Sequence, residues 1–285
     1  MLVRTFRDRF ILGLTADYDA IEAESFFYLL LEDFRGLKRV DLAMDPNLEF
    51  SSDELQKWDD AFRKLQNHIP IQYIIGSAHF FGLEFEVNPS VLIPRPETEE
   101  LVDWIVKDYE FSGSPEILDI GTGSGCIAIS LAKNLHDANV SAIDVSSEAL
   151  DVANRNANRN EVRVDFIKTD ILKTDDLSKK FDIIVSNPPY VRNLEKREIK
   201  PNVLENEPHL ALFVADDDAL VFYRKIADLA SEHLSENGKL YFEINQYLSA
   251  ETIEMLESKG FHEIELRQDI YGNDRMIKCA PKVYS

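Results

Sequence analysis

The tetrapeptide Asn187-Pro188-Pro189-Tyr190 carries the residue types for one particular chemistry. An amide or aromatic amine nitrogen is a poor nucleophile, because its lone pair is delocalised into the neighbouring π system. Two acceptors gripping its two hydrogens favour pyramidalisation and aim the lone pair at an electrophilic methyl group. The Asn187 side-chain oxygen can be one acceptor. The Pro188 backbone carbonyl can be the other, on a backbone that consecutive prolines hold stiff. Tyr190 offers an aromatic face for the planar group. Asn187, Pro188 and Tyr190 are therefore the candidate catalytic residues, and together with Pro189 the candidate substrate-binding residues. Such positioning can remove ~7–11 kcal/mol of barrier, so neither a covalent nucleophile nor a strong base is required. Taken alone, the tetrapeptide is equally an ordinary strand-ending turn, for which Asn and Pro are common.

A second segment supplies the methyl donor's side of the argument. Asp119-Ile120-Gly121-Thr122-Gly123-Ser124-Gly125 separates a strand-like run from an apolar helix opening near Cys126-Ile127-Ala128. Glycines let the backbone turn sharply and approach a ligand closely. A dinucleotide fingerprint would place glycine at position 126, where this chain has Cys126. The shorter GxGxG loop suits a ligand with an amino-acid tail and no phosphate, although a nicotinamide cofactor remains the rival from this loop alone. Asp144, at the end of the next strand-like run, can accept both hydroxyls of a ribose. The bland alternative for the pair is a glycine turn with a helix-capping acid. With the tetrapeptide added, S-adenosylmethionine becomes the expected methyl donor. The candidate cofactor residues are Gly121, Thr122, Gly123, Ser124, Gly125 and Asp144.

These segments need elements to position them. From Glu116 onward strand-like and helix-like runs alternate, with strands expected at 117–120, 140–145, 163–168, 181–186, 239–244, 261–266 and 275–280. Helices fit between them, for example at 146–158 and 219–234. The alternation predicts a parallel, doubly wound α/β sheet of seven strands, closed by an antiparallel hairpin turning near Gly272. In an open sheet of this kind ligands bind where strand order reverses, beyond the strand C-termini. The loop after the first strand and the tetrapeptide after the fourth would then face one pocket. Upstream, residues 79–91 lean toward alternation around Gly82 and read as a β-hairpin. The first ~70 residues read as helices. Ser51 and Glu54 form a capping-box pattern ahead of an apolar face of Leu55, Trp58, Phe62 and Leu65. A helix is expected to begin near Glu97. Arg95 and Glu97 could orient a substrate or pair with each other, and Glu243 could line the pocket or serve structure only.

Composition narrows the partners. The 285 residues are 45% hydrophobic and 29% charged, as in a globular protein. The 52 acids against 31 bases give a net charge of −21, with no basic stripe of the kind that holds a nucleic-acid backbone. No direct nucleic-acid partner is therefore expected, and a basic protein partner is compatible. Cys126 and Cys279 lie far apart, and neither they nor the six histidines show metal-ligand spacing, so no metal is expected. The apolar run Phe10–Leu14 is too short for a signal segment or a membrane span. Cytoplasmic residence is the expectation, with no membrane association.

At the level of whole segments the chain resembles the protein-glutamine methyltransferases that modify peptide-chain release factors. The resemblance rests on Pro70-Ile71-Gln72-Tyr73-Ile74-Ile75-Gly76, Ile93-Pro94-Arg95-Pro96-Glu97-Thr98-Glu99, the glycine loop, the tetrapeptide, Glu207-Pro208 with Ala211-Leu212, and Asp269-Ile270-Tyr271-Gly272-Asn273-Asp274-Arg275. It implies methylation of the side-chain amide nitrogen of the glutamine in the Gly-Gly-Gln loop of class 1 release factors. It implies cofactor contacts from Gly121 to Gly125, Asp144 and Asn187. It also implies a helical substrate-recognition domain at 1–75, a β-hairpin linker at 76–92 and a methyltransferase domain at 93–285. Where relatives often carry an aromatic residue near the adenine, this chain has Ile171. Two other readings share the motifs: an N6-adenine methyltransferase acting on DNA or RNA, and a nucleotide-binding regulatory module without catalysis.

Overall fold

The computed structural model describes residues 1–110 and 113–282, so the last three residues of the expected methyltransferase domain lie outside the description. The chain divides into two units, Met1–Gly76 with Pro201–Asn206, and Ser77–Lys200 with the chain from Glu207 onward.

The first unit is helical, with α1 (Val3–Leu14), α2 (Ala20–Arg35), α3 (Arg39–Met44), α4 (Ser52–Gln66) and α5 (Ile71–Ile75). Helix α4 starts where the capping box expects it. The Glu54 N–H donates to Ser51 Oγ, and the Ser51 N–H donates back to Glu54 Oε2 at 2.8 Å. Arg35 grips the same carboxylate and holds Glu54 down at a pKa of about 2. The apolar face of α4 turns Trp58 into a cluster with Phe6, Phe27, Phe34 and Phe50, their ring centroids 5.0–5.7 Å from the indole. Such ring packing adds to area burial in holding short helices together.

The second unit opens with a hairpin of β1 (Ser77–Phe80) and β2 (Leu83–Glu86). Its two turn residues, Phe81 and Gly82, both take positive φ, as a two-residue turn requires. The hairpin docks through buried Phe80 and Phe85, and the Glu86 N–H donates to Asn156 Oδ1. Then follow α6 (Pro96–Tyr109), β3 (Glu116–Ile120), α7 (Cys126–Asn134), β4 (Asn139–Asp144), α8 (Ser147–Arg159), β5 (Asp165–Lys168), β6 (Phe181–Ser186) and β7 (Val191–Arg192); next in the chain comes α9 (Pro201–Asn206), which belongs to the first unit, and then, in the second again, α10 (His209–Leu212) and β8 (Phe213–Val214). The chain closes with α11 (Val221–His233), β9 (Leu234–Glu243), α12 (Ser249–Ser258), β10 (His262–Gln268) and β11 (Asp274–Ala280).

Among the described residues one sheet has seven strands, in the order β10-β11-β9-β6-β3-β4-β5. The strands from β9 to β5 run parallel, and β11 pairs antiparallel with both β9 and β10. Both faces are covered. Leu101, Trp104, Ile127 and Ile129 fill one side, and Tyr223, Ile226, Met255 and Leu256 the other. The doubly wound α/β fold expected from the alternation is the fold observed. Strand β9 starts earlier than residue 239, because Leu234 already pairs with Phe181 before a register shift. Gly238 allows that shift, since a Cβ there would lie 2.9 Å from the Phe181 carbonyl oxygen. Strand order reverses beside β3, which lies between β4 and β6.

Candidate active site

The glycine loop leaves β3 and folds back on β4. The Gly121 and Thr122 N–H groups both donate to the Ile143 carbonyl, at 2.9 and 3.1 Å. The Gly123 N–H donates to Asp144 Oδ2 at 2.9 Å, and the Ser146 N–H donates to Oδ1 of the same carboxylate. Gly121, Gly123 and Gly125 have φ of +76°, +55° and +82°. At Gly121 and Gly123 an added Cβ would meet only open space, so the backbone there is bare toward whatever fills the cavity. Gly125 serves packing instead, because a Cβ would come within 2.8 Å of Ile129 Cδ1 and 3.1 Å of Ala153 Cβ. Beneath the loop the buried Asp119 accepts from Thr122 Oγ1 at 2.6 Å, and burial pushes its pKa up to about 7.

The tetrapeptide leaves β6 at the same end of the sheet. Ser186 donates to the Ile120 carbonyl at 2.7 Å, tying the two strand ends together. A cavity of about 310 Å³ opens there. It is lined by Gly121, Thr122, Gly123, Ser124 and Asp144 on one side and by Asn187, Pro188 and Pro189 on the other. Cavities of that size and mixed lining are typical of small-ligand sites. Two expected site residues lie outside this lining, Gly125 and Tyr190. Tyr190 lines a smaller cavity of about 150 Å³ with Glu195, Asn245 and Arg275, and its hydroxyl donates to Glu243 Oε1 at 3.0 Å.

Several residues at the site were not singled out by sequence reading. Thr98 lines the main cavity, where it accepts from Asn187 Nδ2 at 3.3 Å and donates to Glu243 Oε2 at 2.6 Å. Phe222 and Ile226 of α11 line it alongside Asp170, Ile171 and Leu172. An aromatic ring thus reaches the region of Ile171 from another element. Asn156, fully buried, donates to the Ser124 carbonyl and so pins the loop from α8. Arg95 does not pair with Glu97. Its guanidinium meets the buried Glu207 at 2.7 Å, which also accepts from the Ile93 N–H. Thr98 and Glu207 lie inside the segments that carry the family resemblance, and nothing local marked Phe222 or Asn156.

A doubly wound sheet with a bare glycine loop, a carboxylate at the end of the next strand and a stiff Asn-Pro-Pro turn lining one cavity is the arrangement of an S-adenosylmethionine-dependent methyltransferase. The methyltransferase small domain model matches residues 98–211, and the PrmC N-terminal domain model matches residues 15–76. The release factor glutamine methyltransferase of Flavobacterium psychrophilum is 59% identical over 98% of this chain and 99% of its own. That of Bacteroides thetaiotaomicron is 46% identical over 91% and 93% respectively. Among solved structures, the Thermus thermophilus 16S rRNA N2 G1207 methyltransferase in complex with AdoMet and guanosine shares the fold, with a TM-score of 0.53, 19% identity, and coverage of 72% of this chain and 50% of that one. The chain belongs to the release factor glutamine methyltransferase family.

Proposed function

We propose that this chain transfers a methyl group from S-adenosylmethionine to the side-chain amide nitrogen of the glutamine in the Gly-Gly-Gln motif of class 1 peptide-chain release factors. The observation that carries the reading is the shared cavity, which Asn187 and Pro188 line together with Gly121, Thr122, Gly123, Ser124 and Asp144. Family membership names the acceptor.

Asp144 would hold the ribose hydroxyls, while the backbone from Gly121 to Ser124 would follow the amino-acid tail. Carboxylates at Asp144 and Asp170 give the cavity a negative lining that favours a cationic ligand. When bound, S-adenosylmethionine supplies an electrophilic methyl group on its sulfonium. Asn187 Oδ1 and the Pro188 carbonyl would accept the two amide hydrogens of the glutamine, tilt its nitrogen out of conjugation and aim the lone pair; once the nitrogen carries the methyl group it is acidic, and one of those two hydrogens would leave as a proton to solvent. Tyr190, anchored on Glu243, would fix the end of the tetrapeptide. Holding the reacting atoms in line is worth ~7–11 kcal/mol, so these residues need not form a covalent bond to the substrate.

The helical residues 1 to ~75 would grip the release factor, and the reaction would take place in the cytoplasm. Among the described residues no helix is long and apolar enough to cross a membrane. Mass spectrometry of a purified release factor after incubation with enzyme and S-adenosylmethionine tests the reading. One added methyl on the Gly-Gly-Gln peptide is expected. Methyl on nucleic acid, with none on the peptide, would replace it with the adenine reaction.

A further inference from the structure

Glu243 closes β9 directly beside the tetrapeptide, because β6 and β9 are parallel neighbours with Ser186 opposite Phe242. It is 1% exposed, does not line the main cavity, and is bonded to two groups that meet it from different elements. Its Oε2 accepts from Thr98 Oγ1 and its Oε1 from the Tyr190 hydroxyl. Burial pushes the Glu243 carboxyl up, while the hydrogen bonds from Thr98 and Tyr190 and the charge of Arg275 favour its ionised form. Both of its oxygens accept here, so the single hydroxyl proton of Thr98 is committed to it. The Thr98 oxygen then has only lone pairs left for Asn187. Its partner there is Asn187 Nδ2.

That direction matters because the two edges of an amide are nearly the same shape and packing hardly tells them apart. With nitrogen toward Thr98, Asn187 turns its oxygen to the other side, where it can accept from a substrate –NH₂. With the amide reversed, its own –NH₂ would face the substrate –NH₂, donor against donor, and the Thr98 oxygen would face a carbonyl oxygen with no proton between them. We propose that Glu243 and Thr98 are positioning residues for methyl transfer, forming a one-way donor chain that fixes which edge of Asn187 meets the substrate nitrogen. This rests on the reading of Asn187 as an acceptor for the substrate amide.

Thr98→Val keeps the side-chain shape and removes the hydroxyl. Measured on a release factor, kcat should fall about 10- to 100-fold, the size of one lost charge-assisted hydrogen bond. KM for the release factor, and calorimetric affinity for S-adenosylmethionine, should stay within about threefold of wild type. Thr98→Ser should restore most of kcat. In an Asn187→Ala background Thr98→Val should cost less than about threefold more, because the chain acts through Asn187. An unchanged kcat in Thr98→Val, a full additional loss in the Asn187→Ala background, or no rescue by serine would each overturn the proposal. Should Thr98→Val lose cofactor binding, Glu243→Leu carries the test, since it leaves the Thr98 hydroxyl no carboxylate to donate to and so frees its proton. The same fall in kcat is then expected, and wild-type turnover would overturn the donor chain. If the wild type itself leaves the Gly-Gly-Gln peptide unmethylated, the substrate reading fails instead, and the same variants are scored on the acceptor it does methylate.

Discussion

The two ends of the main cavity are built in different ways. At the glycine-loop end the bonds are short in sequence. Thr122 and Asp119 are 3 residues apart, and Gly123 and Asp144 are 21 apart. At the tetrapeptide end they are long. Asn187 and Thr98 are 89 apart, Tyr190 and Glu243 are 53 apart, and Thr98 and Glu243 are 145 apart. The first end takes its shape mostly from backbone conformations that only glycine adopts readily. The second takes its shape from side chains that only the assembled sheet brings together. A cofactor shared by many enzymes can be held by a portable loop, whereas aiming one nitrogen needs groups fixed from several directions.

The comparison predicts that the two ends fail separately. The largest effect is expected from Asn187→Ala, which should lower turnover on the order of 10²- to 10³-fold, as when one stabilising group of a transition state is removed. Its affinity for S-adenosylmethionine should stay within about tenfold by calorimetry. Near-wild-type turnover would end the mechanism, and equal losses in both quantities would erase the distinction between the ends.

Next comes the floor of the glycine loop. Asp119 has a pKa near 7 in place of its ordinary 3.8, because burial penalises the charged form. Its contribution to stability is fully present below pH 3.8 and is lost as pH rises through about 7. The shift of about three units corresponds to about 4 kcal/mol in total, or ~1.4 kcal/mol per pH unit across that window. Asp119→Asn removes this dependence, so urea midpoints should shift steadily in favour of the variant between pH 5 and pH 7. Parallel curves for the two proteins would show that Asp119 stays ionised.

Asp144→Ala is the mirror of the Asn187 variant. It should weaken S-adenosylmethionine about 10- to 100-fold, the value of a hydrogen-bonded carboxylate, while turnover at saturating cofactor falls far less. A large loss of saturated turnover would mean that Asp144 also shapes the tetrapeptide end. The smallest effect belongs to the helical unit. Ser51→Ala removes the cap of α4 and should cost ~1 kcal/mol by thermal unfolding, with cofactor affinity unchanged.

Much of this molecule is legible in short windows of its sequence. The capping box at Ser51 and Glu54, the strand that ends in Asn187 and the alternation from β3 to β6 each depend on residues within a few positions of one another. The glycine loop is legible for the same reason, since three positive φ angles in five residues leave little choice but glycine. Other features gave no local sign. The sequence offers Tyr190 as an aromatic face but gives no hint that its hydroxyl donates to Glu243 or that it lines the smaller cavity. Arg95 had an acid two residues away and pairs instead with Glu207, 112 residues on.

The sequence by itself determined the elements, the bare loop and the stiff turn, because backbone preference and hydrophobic period act over a few residues. It also determined the family, through segments that carry those local features together. Tertiary structure decided that a buried glutamate at the end of β9 receives Thr98 and Tyr190, that Phe222 faces the region of Ile171, and that Asn156 pins Ser124. Such pairings depend on strand register and helix packing. Their partners are fixed by which strand ends lie side by side, and the sequence around each residue holds no record of that.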